Sequence, residues 1–188
     1  MTSLLDRYIG EFDVIERFER RINAPPAVVM RVAYDFDLQS IWLIKLIIWL
    51  RRKFLRAGDA VPRKPLGLVA ETRELGWGTL IEEPGKLLVC GAVCQPWFGD
   101  VKFVAIPEKE FAAYDVPDQV KIAWSLEAYA IEPGMTLFVH EVRARATDEE
   151  AERKFMRYWR WARFGIVEIR LLLLPAIRRR AERELSPG

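Results

Sequence analysis

One histidine, two cysteines and four methionines are all that 188 residues hold of the soft or redox-active side chains. His140 stands alone, and Cys90 and Cys94 lie in one strand-like run. Their spacing gives neither a zinc framework nor a carboxylate-rich oxygen site, so no metal and no cofactor are expected. On a strand the two thiols point the same way but stand too far apart for a disulfide. Glycine is not clustered into a phosphate-cradling loop or a dinucleotide fingerprint, and no G-x-S-x-G is present. Gly76-Trp77-Gly78 reads instead as a closely packed strand or a bulge. The opening stretch, Met1 to Phe12, carries Asp6, Arg7 and Glu11 and lacks the apolar run of a signal peptide. With the unpaired thiols, this makes a cytoplasmic protein the expectation. The longest apolar run, Ile41 to Leu50, is broken by Lys45 and is too short to cross a bilayer. Charge of one sign is also missing. A formal net charge of +2 favours neither a nucleic-acid partner nor an acidic substrate.

What is there is ordinary globular material, 51% hydrophobic and 30% charged, of a length that suits one domain over residues 1–188. Its most organised stretch runs from Thr147 to Leu185. Thr147 followed by Glu150 gives a reciprocal helix cap. Ala151, Phe155, Trp159, Ala162, Ile166, Ile169 and Leu173 then form one apolar stripe at steps of three and four. Arg153, Arg157, Arg160 and Arg163 fall on other faces. Pro175 predicts a kink or stop, because it lacks an N–H and crowds the preceding turn.

Phe12 to Asn23 alternates as a strand. Phe12, Val14, Phe18 and Ile22 share the core-facing side with Glu16 and Arg20, while Asp13, Arg17, Glu19 and Arg21 take the other, with Ile15 an exception. Two charges facing a core imply either a bulge or solvent-reaching strand end, or a polar floor to a cavity. Ala24-Pro25-Pro26 ends this strand and opens a short helix, and a second helix is expected from about Ser40 to Leu55. That one is a buried core helix or an interfacial one with cationic flanks. Ala57 to Thr72 reads as a long loop, with at most a short strand near Leu66 to Ala70.

Strands follow in quick succession: Leu75 to Glu82, Lys86 to Cys94, Val101 to Ile106, Gln119 to Ile131 and Met135 to Ala146. A short helical turn is expected at Pro107 to Ala113. Hairpin connections at Glu83-Pro84-Gly85 and Pro133-Gly134 imply an antiparallel sheet. In the last hairpin a two-residue loop would set Trp124 beside Arg143. A bulge or a three-residue loop instead turns Trp124 and Leu126 inward together with Phe138, His140 and Val142. That second arrangement is preferred, and it puts His140 near Leu126 or Ala128.

The order strand, two helices, antiparallel strands, long C-terminal helix, with Asn23-Ala24-Pro25-Pro26 after the first strand and Arg145-Ala146-Thr147-Asp148 before the last helix, resembles the START-like (helix-grip, SRPBCC) superfamily, and within it the bacterial polyketide cyclase-like branch. The resemblance spans about Phe12 to Leu185. It implies an α+β fold in which a curved antiparallel sheet of about six or seven strands wraps the long helix over an apolar cavity. Members bind lipids, sterols, quinones, polyketides or hormones there, and some catalyse reactions; no shared catalytic motif carries over to residues of this chain.

Three functions are therefore weighed. A small hydrophobic molecule would sit among Trp77, Trp97, Trp124, Phe138, His140, Phe155 and Trp159, residues that equally suit a filled core. A cyclase or aromatase would use His140 as general base with Glu16 and Arg20 as orienting carboxylate and oxyanion clamp, His140 alternatively being a hydrogen-bonded core residue. A peripheral membrane protein would use the Ile41 to Leu50 helix and the basic tail Arg178, Arg179, Arg180 and Arg183. The binding reading comes first, with a small hydrophobic molecule as partner and no nucleic acid.

Overall fold

The computed structural model describes residues 3–37 and 66–185. The expected helix from Ser40 to Leu55 lies outside them, as does most of the expected loop. After an N-terminal 3-10 turn, Leu4–Arg7, come β1 (Val14–Ile22), α1 (Pro26–Tyr34), α2 (Leu68–Glu74), β2 (Gly78–Glu83), β3 (Leu87–Cys94), α3 (Glu108–Phe111), β4 (Val120–Glu132), β5 (Met135–Ala146) and α4 (Glu149–Leu185). The strands make one antiparallel sheet in the order β1-β5-β4-β3-β2. An α+β chain with this sheet and a long terminal helix has a helix-grip-like layout.

Five strands are present among the described residues, not six or seven. Val101 to Ile106 forms no strand. β2 ends its pairing at Gly78 opposite Gly91, leaving only the last residues of β3 with an open edge, and a single bridge, Val93 to Val104, fits there. The segment near Leu66 to Ala70 is not a strand either. Leu68–Glu74 is a helix, its Thr72 hydroxyl bonding back to the Leu68 carbonyl at 2.7 Å. A short apolar run carries no periodicity that separates strand from helix, and the helix-forming Ala70, Glu71 and Arg73 decide it.

The β4–β5 hairpin has the bulged register. A shift between Ala130 and Glu132 compensates for the short turn, so Trp124 stands opposite Val142 and Leu126 opposite His140. Even-numbered residues of β4 and β5 face α4. In β1 Val14 and Ile22 are buried and Ile15 is exposed, as alternation requires, but Phe12 precedes the strand and is exposed.

α4 is capped one residue later than the sequence suggests. Asp148 accepts from the Ala151 N–H at 2.8 Å and from the Asp118 N–H at 2.5 Å, and these bonds hold its carboxyl below the usual carboxylate range. Thr147 turns back to β4 instead, its hydroxyl donating to the Gln119 carbonyl at 3.0 Å. The helix neither stops nor ends at Pro175, which lies inside it. The carbonyl deprived of its partner belongs to Leu171, a residue on the exposed side where water can serve it.

Both faces of the sheet are covered. On the inner face, α1 and the second half of α4 pack with Ile22, Leu88, Leu126 and Phe138, and the first half of α4 packs with Val14, Val120 and Ala144. On the outer face, Leu5, Tyr8 and Ile9 of the N-terminal segment join Phe111 of α3 over Leu80, Val89 and Ala123. Phe111 reaches the sheet because position 91 is glycine: a Cβ there would lie 2.7 Å from both the Phe111 ring and the Leu80 side chain.

Candidate functional site

The two anchored halves of α4 are separated by a gap. Its buried residues end at Ala162 and resume at Leu173. Ile166, Ile169 and Arg170, on the same stripe, are only half-buried. Beneath them lies a cavity of about 390 Å³, walled by the sheet through Ile122, Trp124, Leu126 and Val142 and by the helix through Phe155 and Trp159. Leu68 and Thr72 of α2 and Trp77, Val101 and Phe103 complete the wall. Trp77 is aimed there by Gly76, whose φ of +100° puts a would-be Cβ at 2.2 Å from the Phe103 carbonyl oxygen. Its ring then packs on Phe103 at 4.8 Å and meets Trp124 edge-on at 6.3 Å. A shallower depression of about 290 Å³ on the outside of α4 is lined by Glu149, Glu152, Arg153 and Met156, all from one helix.

The polar part of the cavity is small. His140 Nδ1 lies 2.7 Å from the Ser125 carbonyl oxygen, and Arg170 Nε donates to His140 Nε2 at 3.1 Å. A carbonyl can only accept, so Nδ1 carries the proton and Nε2 is the acceptor. The imidazole is thus held neutral: burial, then the Arg170 charge, push its pKa down to about 3 against the opposing Ser125 bond. Arg170 also donates from Nη1 to the Ile166 carbonyl at 3.3 Å. Burial lowers its pKa to about 10, the nearby Glu16 carboxylate opposing this, so the guanidinium stays charged at neutrality. Glu16 lines the same cavity from β1.

Of the residues singled out from the sequence, Glu16, Trp77, Trp124, His140, Phe155 and Trp159 come together around the cavity. Trp97 and Phe138 do not line it. Trp97 packs beside Val14 and Phe155 with Lys154 over its ring at 5.7 Å, and Phe138 is fully buried between the sheet and α1. Arg20 shares the inner face with Glu16, opposite Phe138, but it too lies off the cavity wall, and its Nε is buried without a hydrogen-bond partner. Arg170 takes the place next to His140 that Arg20 was expected to hold. Sequence reasoning passed over it because the α4 stripe was traced through apolar residues alone. Position 170 is four beyond Ile166 and three before Leu173, so the same periodicity placed a cation on the inward face.

Burial raises the Cys90 thiol pKa to about 12, so it is a packing residue rather than a nucleophile. Cys94 is buried as well. Among the described residues no cluster of potential metal ligands occurs, and no helix is long and apolar enough to cross a membrane. In comparisons with known proteins, no family model matches the sequence and no curated protein is significantly similar to it.

Proposed function

We propose that this protein binds a small hydrophobic molecule, of lipid, polyketide or isoprenoid character, between the sheet and α4. The observation that carries this is the stretch of α4 between Ala162 and Leu173, which contributes no buried residue while spanning a cavity of about 390 Å³ walled by Trp77, Trp124 and Trp159. That volume falls in the range of about 300–1,000 Å³ common for small-molecule sites, and an apolar wall with few polar groups is their usual lining. The helix-grip-like layout supports placing the chain beside the START-like superfamily, the polyketide cyclase-like branch included.

The cyclase alternative is less well supported. A general base needs an available lone pair and a pKa near the working pH. His140 offers its lone pair to Arg170, and its pKa of about 3 leaves it a weak base. The membrane-surface alternative has less behind it: of its tail cations Arg178 pairs with Glu182 at 3.0 Å and Arg180 approaches Glu184 at 3.9 Å, and its Ile41 to Leu50 helix lies outside the described residues.

The test is native mass spectrometry of gently purified protein, followed by titration of apolar compounds against tryptophan fluorescence. A bound apolar mass or saturable quenching is the expected result. Quenching should weaken markedly in Trp124→Ala if the site is the one described. Repeated blanks from both methods would remove the proposal.

A further inference from the structure

Arg170 makes the cavity chemically asymmetric. Its Nε and Nη1 are committed to His140 and to the Ile166 carbonyl, and Nη2 has no acceptor among the described residues. Glu16, the acidic residue on the cavity wall among the described residues, acts on Arg170 through space without forming an ion pair with it. His140 supplies no charge to balance it, because its proton sits on Nδ1 toward Ser125. Arg170 is half-buried on a wall it shares with Ile166, Ile169, Trp124 and Trp159, and among the described residues no carboxylate contacts it, so its charge faces an otherwise apolar space without a paired anion. A planar carboxylate is the group that best completes a guanidinium fork, taking two parallel N–H bonds.

Building on the binding reading above, we infer that the cavity's ligand is an amphipathic monocarboxylate whose flat, unsaturated or aromatic body lies among Trp77, Trp124 and Trp159 and whose carboxylate caps Arg170. His140 then acts as a positioning residue. By accepting from Nε it fixes the plane of the guanidinium and turns the terminal N–H groups toward the cavity. Glu16 acts against the ligand: its negative charge competes for the same cation, so removing that charge should tighten binding. Arg170 and Glu16 therefore push affinity in opposite directions, which a nonspecific greasy pocket would not do.

The experiment compares three probes with one body: 2-naphthoate, 2-naphthamide and 2-methylnaphthalene. Each is titrated by tryptophan quenching and calorimetry into the full-length wild-type chain and its Arg170→Gln and Glu16→Gln variants. In the wild type 2-naphthoate should bind about tenfold or more tighter than the amide, the scale of a charge-assisted hydrogen bond. Arg170→Gln should erase that advantage while leaving the amide and the hydrocarbon within about threefold of wild type. Glu16→Gln should strengthen 2-naphthoate severalfold and leave the hydrocarbon unchanged. Equal binding of all three probes, unaltered by either variant, would overturn the carboxylate assignment and leave the apolar site standing. Silence from all three would remove both. Should Arg170→Gln fail to fold, the wild-type ranking and the Glu16→Gln response decide the matter.

Discussion

His140 shows how one side chain's surroundings set both its chemistry and its pH signature. An imidazole with a pKa near 3 in the folded protein returns to an ordinary value near 6.5 when unfolded. Between those values the unfolded chain binds the extra proton, so folding stability must fall as pH drops from 6.5 toward 3. The slope from this one group reaches at most about 1.4 kcal/mol per pH unit. His140→Gln should remove it: urea midpoints of variant and wild type, compared at pH 7, 5 and 4, should converge or cross as the pH falls. A constant difference across the series would show that the imidazole titrates normally. Gly91 makes a second residue-scale case. Adding a Cβ there drives into the fully buried Phe111 ring at 2.7 Å. Gly91→Ala should therefore destabilise by about 1–3 kcal/mol, the usual range for overpacking, read from denaturant midpoints.

At the scale of elements, the outer face of the sheet is held by charge as much as by apolar packing. Glu141 is 1% exposed and accepts from Arg143 Nε at 2.8 Å, Arg17 Nη1 at 2.5 Å and the Ser3 hydroxyl at 2.7 Å. Arg143 donates onward to the Ile9 carbonyl at 2.7 Å and pairs with Asp6 at 2.6 Å. The strands thus grip the N-terminal segment through β5. Glu141→Ala leaves Arg143 short of its main counter-ion; about 3 kcal/mol should be lost, the low end for a broken buried pair because Asp6 remains. Limited proteolysis should then cut within residues 3–12 faster than in wild type. Unchanged cleavage would mean the apolar contacts of Leu5 and Ile9 suffice.

These same elements show what the sequence could reveal. The boundaries of β5 and the bulged register of β4–β5 were legible because large apolar residues alternate strictly there and a Pro-Gly turn punctuates them. The burial of Glu127, Glu141 and Arg143 was not. Alternation marks them as the solvent side; Glu127 bonds to Ser125 and Tyr129 on its own strand, while Glu141 and Arg143 are met by Ser3 and Ile9, 138 and 134 positions away. No local pattern reports a contact of that range. The cavity was half legible: the inward aromatics and His140 could be read from period two, whereas Arg170 was hidden by a stripe defined through apolar residues only.

Over the whole molecule, the open space under the middle of α4 should show itself in stability as well as in binding. In a packed interior an enlarged side chain forces neighbours off their rotamers and destabilises. Over an open apolar cavity the same change adds contacts that the lining lacks, and it stabilises. Ile166→Phe enlarges a half-buried residue on the cavity wall. Leu174→Phe, two turns further along the same helix, enlarges one that is 3% exposed within the packed end beside α1. The first should raise the thermal midpoint by about 2–4 °C, what roughly 1 kcal/mol yields in a chain of this size. The second should lower it by a similar amount or more. Ile166→Phe should also abolish 2-naphthoate quenching, whereas Leu174→Phe should retain it below its melting range. If both substitutions destabilise and binding survives Ile166→Phe, the ligand does not lie under α4; opposite signs, with binding lost only in the stabilised variant, place it there.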